Sequence, residues 1–175
     1  MAGGAGSGGG ASGVSCAGFP QARSFLTPTD GLTHCYWTHR EELDWLASLA
    51  RCASEQGTLV SILSAQENAF VLDLVSDLFP PFDPDARITL GGTDDRAADD
   101  RSGAGQYRWA SGEPWGYDNW NTSGNGGEPD GDCVACLPSG LGCHCAHRLT
   151  MAPNGRWYDR WESDPRRFAC EALAR

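Results

Sequence analysis

Eight cysteines, Cys16, Cys35, Cys52, Cys133, Cys136, Cys143, Cys145 and Cys170, constrain this chain of 175 residues more than any other feature. An even set at this density points to paired thiols in an oxidising compartment, and each pair forces two separate segments to meet. The competing reading is thiolate metal binding, which bears on the four cysteines crowded between positions 133 and 145. At this length one sizeable core is expected, because two independent cores would each be small and marginal.

Charge and hydropathy narrow the partners. A formal charge of -10, with no Lys/Arg cluster to interrupt it, repels phosphate backbones and anionic membranes, so nucleic acid is not an expected partner. No stretch approaches the roughly 18 uninterrupted apolar residues of a membrane span, so membrane insertion is not expected either. Residues 1–15 are Gly/Ser-rich and read as a flexible linker. They show neither a basic n-region nor an apolar h-region, so the secretion signal that an extracellular, secreted protein needs is not visible there. Residues 16–175 form the expected domain.

Along that domain the periodicity changes. Thr38 and Glu41 have capping-box spacing, and Leu43, Leu46, Ala47 and Ala50 recur at helical intervals, which predicts a helix over 38–51. Thr58–Ile62 is short and β-branched and predicts a strand. Ser64 with Glu67 then opens a second helix, whose stripe of Val71, Leu74, Val75 and Leu78 must stop near Pro80 and Pro81. From Arg87 onward helical periodicity disappears, and short strands separated by long Gly/Asn/Asp/Ser loops are expected. Pro153-Asn154-Gly155 predicts a tight hairpin turn, and Phe168–Glu171 a last strand.

Catalytic signatures are missing: there is no G-x-S-x-G elbow, no H-E-x-x-H helix and no G-x-x-x-x-G-K loop. Adjacent acids such as Glu41-Glu42 or Asp99-Asp100 point apart and stay solvated, so a binding module is expected and not an enzyme. Asp94, Asp95, Asp99 and Asp100, beside Arg96 and Arg101, read as a solvated, mutually paired loop.

Four segments in order carry a resemblance: ARCASEQGTLVSILSAQENAF; LGGTDD with QYRWASGEPWGYDNW; GEPDGDC; and NGRWYD with a terminal FACE. Together they resemble the C-type lectin-like family over about residues 35–172. The resemblance implies an α+β fold, two helices packed on small antiparallel sheets with a long loop region. It also implies a Cys52–Cys170 disulfide, and Cys16 and Cys35 are similar to the additional N-terminal pair of the family's long form. The usual partner of the next family disulfide, near Glu162, is missing. Cys145 then matches the start of a family strand, and residues 131–144 read as an insertion. Within it Cys133, Cys136, Cys143 and Cys145 are expected to form two local disulfides, since a compartment that oxidises the other pairs would oxidise these. The rival is a zinc site on the same four thiolates, with His144 or His147 able to contribute.

For function the resemblance implies a calcium-dependent carbohydrate site. Glu128 and Asp130, flanking Pro129, match the family's E-P-x positions, and Asp159 matches the aspartate of W-N-D. Asp132 is the candidate for a missing carboxylate. These hard oxygens suit calcium, but Tyr158 stands where the family has an amide that bridges ion and sugar. Glu128, Asp130, Tyr158, Trp115 and Tyr117 are the candidate ligand-binding residues, the last two through ring stacking on a sugar. Trp120 and Trp157 are expected in the core. The expected partner is a glycan or a cell-surface protein. The alternatives are calcium-independent binding of a protein or surface ligand, and a structural domain displayed on a longer extracellular chain.

Overall fold

The computed structural model describes residues 16–19, 21–94, 107–122, 147–161 and 163–174. In order they form β1 (Arg23–Leu26), β2 (Thr33–Leu43), α1 (Trp45–Ser54), β3 (Thr58–Leu59), α2 (Ala65–Leu74) and a 3-10 turn at Ser76–Leu78. There follow β4 (Ile88–Thr93), β5 (Arg108–Trp109), β6 (His147–Met151), β7 (Trp157–Trp161) and β8 (Arg166–Leu173). The α+β arrangement is the expected one, but its strands form a single eight-stranded sheet ordered β1-β2-β8-β4-β6-β7, with β3 on β8 and β5 on β4. That sheet is mixed and not antiparallel throughout, because β4 runs parallel to β8.

The first helix begins later than its sequence pattern suggests. Thr38 and Glu41 lie in β2, and Thr38 pairs with Ala169 of β8. Asp44 is the actual cap, its carboxylate accepting from the Ala47 N–H at 2.7 Å. The buried stripe of α1 is Trp45, Ser48 and Cys52, whereas Leu46 is 56% exposed. A run of Cys, Tyr, Trp and Thr fits a pleated, half-buried surface, and long pairing with β8 overrides a local capping pattern. The second helix starts as expected: the Ser64 hydroxyl accepts from Glu67 N, and the Glu67 carboxylate accepts from Leu63 N at 2.8 Å.

Two cores lie on the sheet. One surrounds Trp37, Trp45, Leu59 and Phe168 and contains the Cys52–Cys170 disulfide, whose Cα atoms are 5.6 Å apart. The other gathers Tyr36, Val60, Ile62, Val71, Leu90, Trp109, Leu149 and Trp157. The Cys16–Cys35 disulfide ties the N-terminal segment to β2, and Phe19 stacks on Trp37 at 4.4 Å. Among the described residues no helix is long and apolar enough to cross a membrane.

Candidate functional site

The β6–β7 hairpin builds the described part of the predicted calcium site. Its turn relies on Gly155, at φ 76°, and on the Asn154 side chain, which accepts from Arg156 N at 3.0 Å. A Cβ at Gly155 would stand 3.1 Å from Leu72 Cδ2, so the Leu72 side chain of α2 would have to shift by a few tenths of an ångström. From the turn, β7 alternates. Trp157 and Asp159 are buried, at 0% and 7% exposure, whereas Tyr158 and Arg160 are half-buried on the opposite face.

Asp159 is thus held inside the frame, opposite Leu149 of β6. Trp157 fixes its neighbourhood. The indole N–H donates to Asn68 Oδ1 at 2.8 Å, and the Trp157 backbone bonds to both Asn119 O and Asn121 N at 3.0 Å. The chain therefore runs alongside β7 at Asn119–Asn121, just before residues 123–146, and just after them His147 pairs with Trp161. Asp159 lies between these two attachments. Glu128, Pro129, Asp130 and Asp132 fall in 123–146, outside the described residues, as do Cys133, Cys136, Cys143 and Cys145.

The candidate stacking residues are placed differently. Trp115 is half-buried and stacks on Trp109 at 4.6 Å, while Tyr107, Trp120 and Trp157 lie within 6.5 Å of its ring. Tyr117 presents its ring edge to Trp157 at 5.5 Å, and burial pushes its hydroxyl above the usual phenol range. Trp120 packs on the same core and bridges to Trp157. Tyr158 faces away from this cluster, with the Arg87 guanidinium 4.2 Å above its ring and that of Arg160 at 5.6 Å. Asp85 meets Arg166 at 3.0 Å and Arg160 at 3.5 Å, which holds its carboxyl below the usual range against the opposing effect of burial.

A second group of polar residues has no counterpart in the predicted site. Glu67 accepts from the Tyr36 hydroxyl at 2.5 Å and Glu171 from Ser61 N at 2.8 Å. Burial raises both carboxyls, and the nearby charge of Glu113 raises them further. Glu113 arrives on the W-x-S-G-E-P turn, where Gly112 adopts φ 84° and Ser111 bonds to Ser61 at 2.8 Å. In the sequence, Glu67 is visible as a capping residue and Glu171 as the end of FACE. Their convergence depends on β8 lying beside β3, which no local pattern signals.

The C-type lectin domain profile matches residues 41–172. The chain is similar to the low affinity immunoglobulin epsilon Fc receptor of Mus musculus, with 32% identity over 108 residues, or 61% of this chain and 28% of the receptor. It is also similar to the galactose-specific lectin nattectin of Thalassophryne nattereri, with 29% identity over 104 residues and 57% of each chain covered. It therefore spans about a quarter of the receptor and just over half of nattectin. Among solved structures, herring type II antifreeze protein superposes with a TM-score of 0.58 at 20% identity, covering 85% of this chain and all of that one. With its fold, its disulfide-closed core and a matching profile over most of its length, the chain belongs to the C-type lectin domain family.

Proposed function

We propose that the domain is an extracellular recognition module that binds glycan through a calcium ion held by Glu128, Asp130, Asp132 and Asp159. The placement of Asp159 carries this reading. It is a buried carboxylate between the two attachments of the only segment that contains the other three acids. A set made of carboxylates, carbonyls and water suits a hard cation. Calcium there would supply open coordination positions for vicinal hydroxyls. Tyr158 is not assigned to that shell, because it occupies the opposite face of β7 under Arg87. Two disulfides in the described frame support an oxidising, extracellular setting.

Calorimetry with calcium, combined with retention on immobilised monosaccharides with and without chelator, tests the proposal. One calcium per chain, weakened at least about tenfold by Asp159→Asn, and chelator-sensitive retention are expected. Absence of calcium binding would overturn it. Ligand retention that survives chelation would instead establish calcium-independent recognition by the same fold.

A further inference from the structure

Asp30, His34 and Glu113 come from three separate places: the β1–β2 turn, strand β2 and the W-x-S-G-E-P turn. Their ligating atoms nevertheless lie within 4.8 Å of one another. We propose that they form a zinc site, distinct from the long-loop residues assigned to calcium and sharing no ligand with them.

The donor set fits zinc. One imidazole nitrogen and two carboxylate oxygens leave a fourth position for water, and imidazole favours a borderline ion over calcium or magnesium. Each donor is also held by a partner of its own. Asp30 Oδ1 accepts from the Thr27 hydroxyl and from Leu32 N at 2.8 Å, which leaves Oδ2 directed at His34 Nε2, 3.0 Å away. Glu113 Oε2 accepts from the Ser111 hydroxyl at 3.0 Å, and that hydroxyl is anchored to Ser61 at 2.8 Å. The His34 ring is buried, and its other nitrogen, Nδ1, faces the fully enclosed Glu171 carboxylate at 3.9 Å. At that distance the two are not hydrogen-bonded, but Glu171 lies on the side of the ring where a metal-bound imidazole commonly has an oxygen partner.

Charge points the same way. Among the described residues no arginine pairs with Asp30 or Glu113, and His34 is the basic group that meets Asp30, at 3.0 Å. Elsewhere the surface acids Asp73, Asp77 and Asp85 each have an arginine. A divalent ion between Asp30, His34 and Glu113 would balance this group, with the zinc taking the place of the His34–Asp30 hydrogen bond.

The test is zinc titration by calorimetry on the oxidised chain, with excess calcium present to fill the long-loop oxygen site. It is paired with a crystal soaked in zinc and measured at the zinc absorption edge. One zinc should bind despite the calcium, with its anomalous peak about 2.0–2.2 Å from His34, Asp30 and Glu113 atoms. His34→Gln and Glu113→Gln should each weaken it at least about tenfold. Glu113 is on a turn, so its variant keeps the test valid if His34→Gln unfolds. No zinc binding, a peak at the cysteine-rich segment instead, or an affinity unchanged in Glu113→Gln would overturn the proposal.

Discussion

Replacing Cys52 and Cys170 together by alanine should cost far more than a surface disulfide would. The bond spans 118 residues, and the loss of loop-closure entropy in the unfolded chain corresponds to about 5 kcal/mol. The same relation gives about 3 kcal/mol for Cys16–Cys35, which spans 19 residues. The true gap should exceed the difference, because Cys52 and Cys170 are completely buried against Trp37, Trp45, Leu59 and Phe168, whereas Cys16 is half-buried. Domains of this size hold roughly 5–15 kcal/mol in total, so the loss of the Cys52–Cys170 bond removes about a third or more of the stability. Urea unfolding of the two double variants, followed by tryptophan fluorescence, measures both losses. Stepwise reduction should open Cys16–Cys35 first. If the Cys52/Cys170 variant loses no more stability than the Cys16/Cys35 variant, the core disulfide is not what closes the frame.

Other perturbations probe individual contacts. Trp157→Phe keeps the aromatic cluster but removes the donor to Asn68 Oδ1, so chemical denaturation should show a loss of about 1–3 kcal/mol for a buried acceptor left unmet. Gly91→Ala would place a Cβ 2.7 Å from Leu59 O and 3.1 Å from Val60 O; backbone cannot move aside cheaply, and a loss of about 1–3 kcal/mol is expected in the same assay. Tyr158→Leu should lower thermal stability by removing the ring between Arg87 and Arg160 and leave calcium affinity unchanged; a calorimetric loss of calcium would contradict its placement. Because burial raises the Glu171 carboxyl in the folded chain, the folded state binds the proton more tightly than the unfolded one. That contribution is fully present below the usual carboxylate range and is lost as pH rises through the raised folded value. In chelator, Glu171→Gln should therefore flatten the fall in melting temperature above the usual carboxylate range, and an unchanged profile would refute this.

What could be read in advance follows from how local each signal is. Ser64 and Glu67 lie within one turn, and Pro153-Asn154-Gly155 needs only its own backbone, so α2 and the β6–β7 hairpin are legible from the chain. The start of α1 is not, because Thr38 and Glu41 offer a valid capping pattern that pairing of β2 with β8 outweighs. A helix stripe centred on Leu46 fails for the same reason: moving the start to Trp45 turns Ser48 and Cys52 inward. At the candidate calcium site, Asp159 was identifiable from its neighbours Trp157 and Asn154-Gly155. The alternation that sends Tyr158 to the Arg87 face shows only once β7 is placed. The Asp30–His34–Glu113 group is illegible, since Glu113 is remote in sequence from Asp30 and His34 and no local pattern signals that they meet.

Strand β8 explains why these outcomes divide as they do. It pairs with β2, β3 and β4, so one strand near the C-terminus fixes elements from both halves of the chain. Along it the side chains alternate: Phe168 and Cys170 enter the core around Trp37, whereas Ala169 enters the core around Tyr36 and Glu171 faces Ser61 and His34. One register therefore sets the disulfide, both cores and the carboxylate behind His34. A slip by one residue would send Cys170 to the wrong face and break the bond to Cys52, so the covalent tie also enforces the placement of Glu171. The register of β8 thus sets the frame, and a frame of this fold does not by itself specify a ligand.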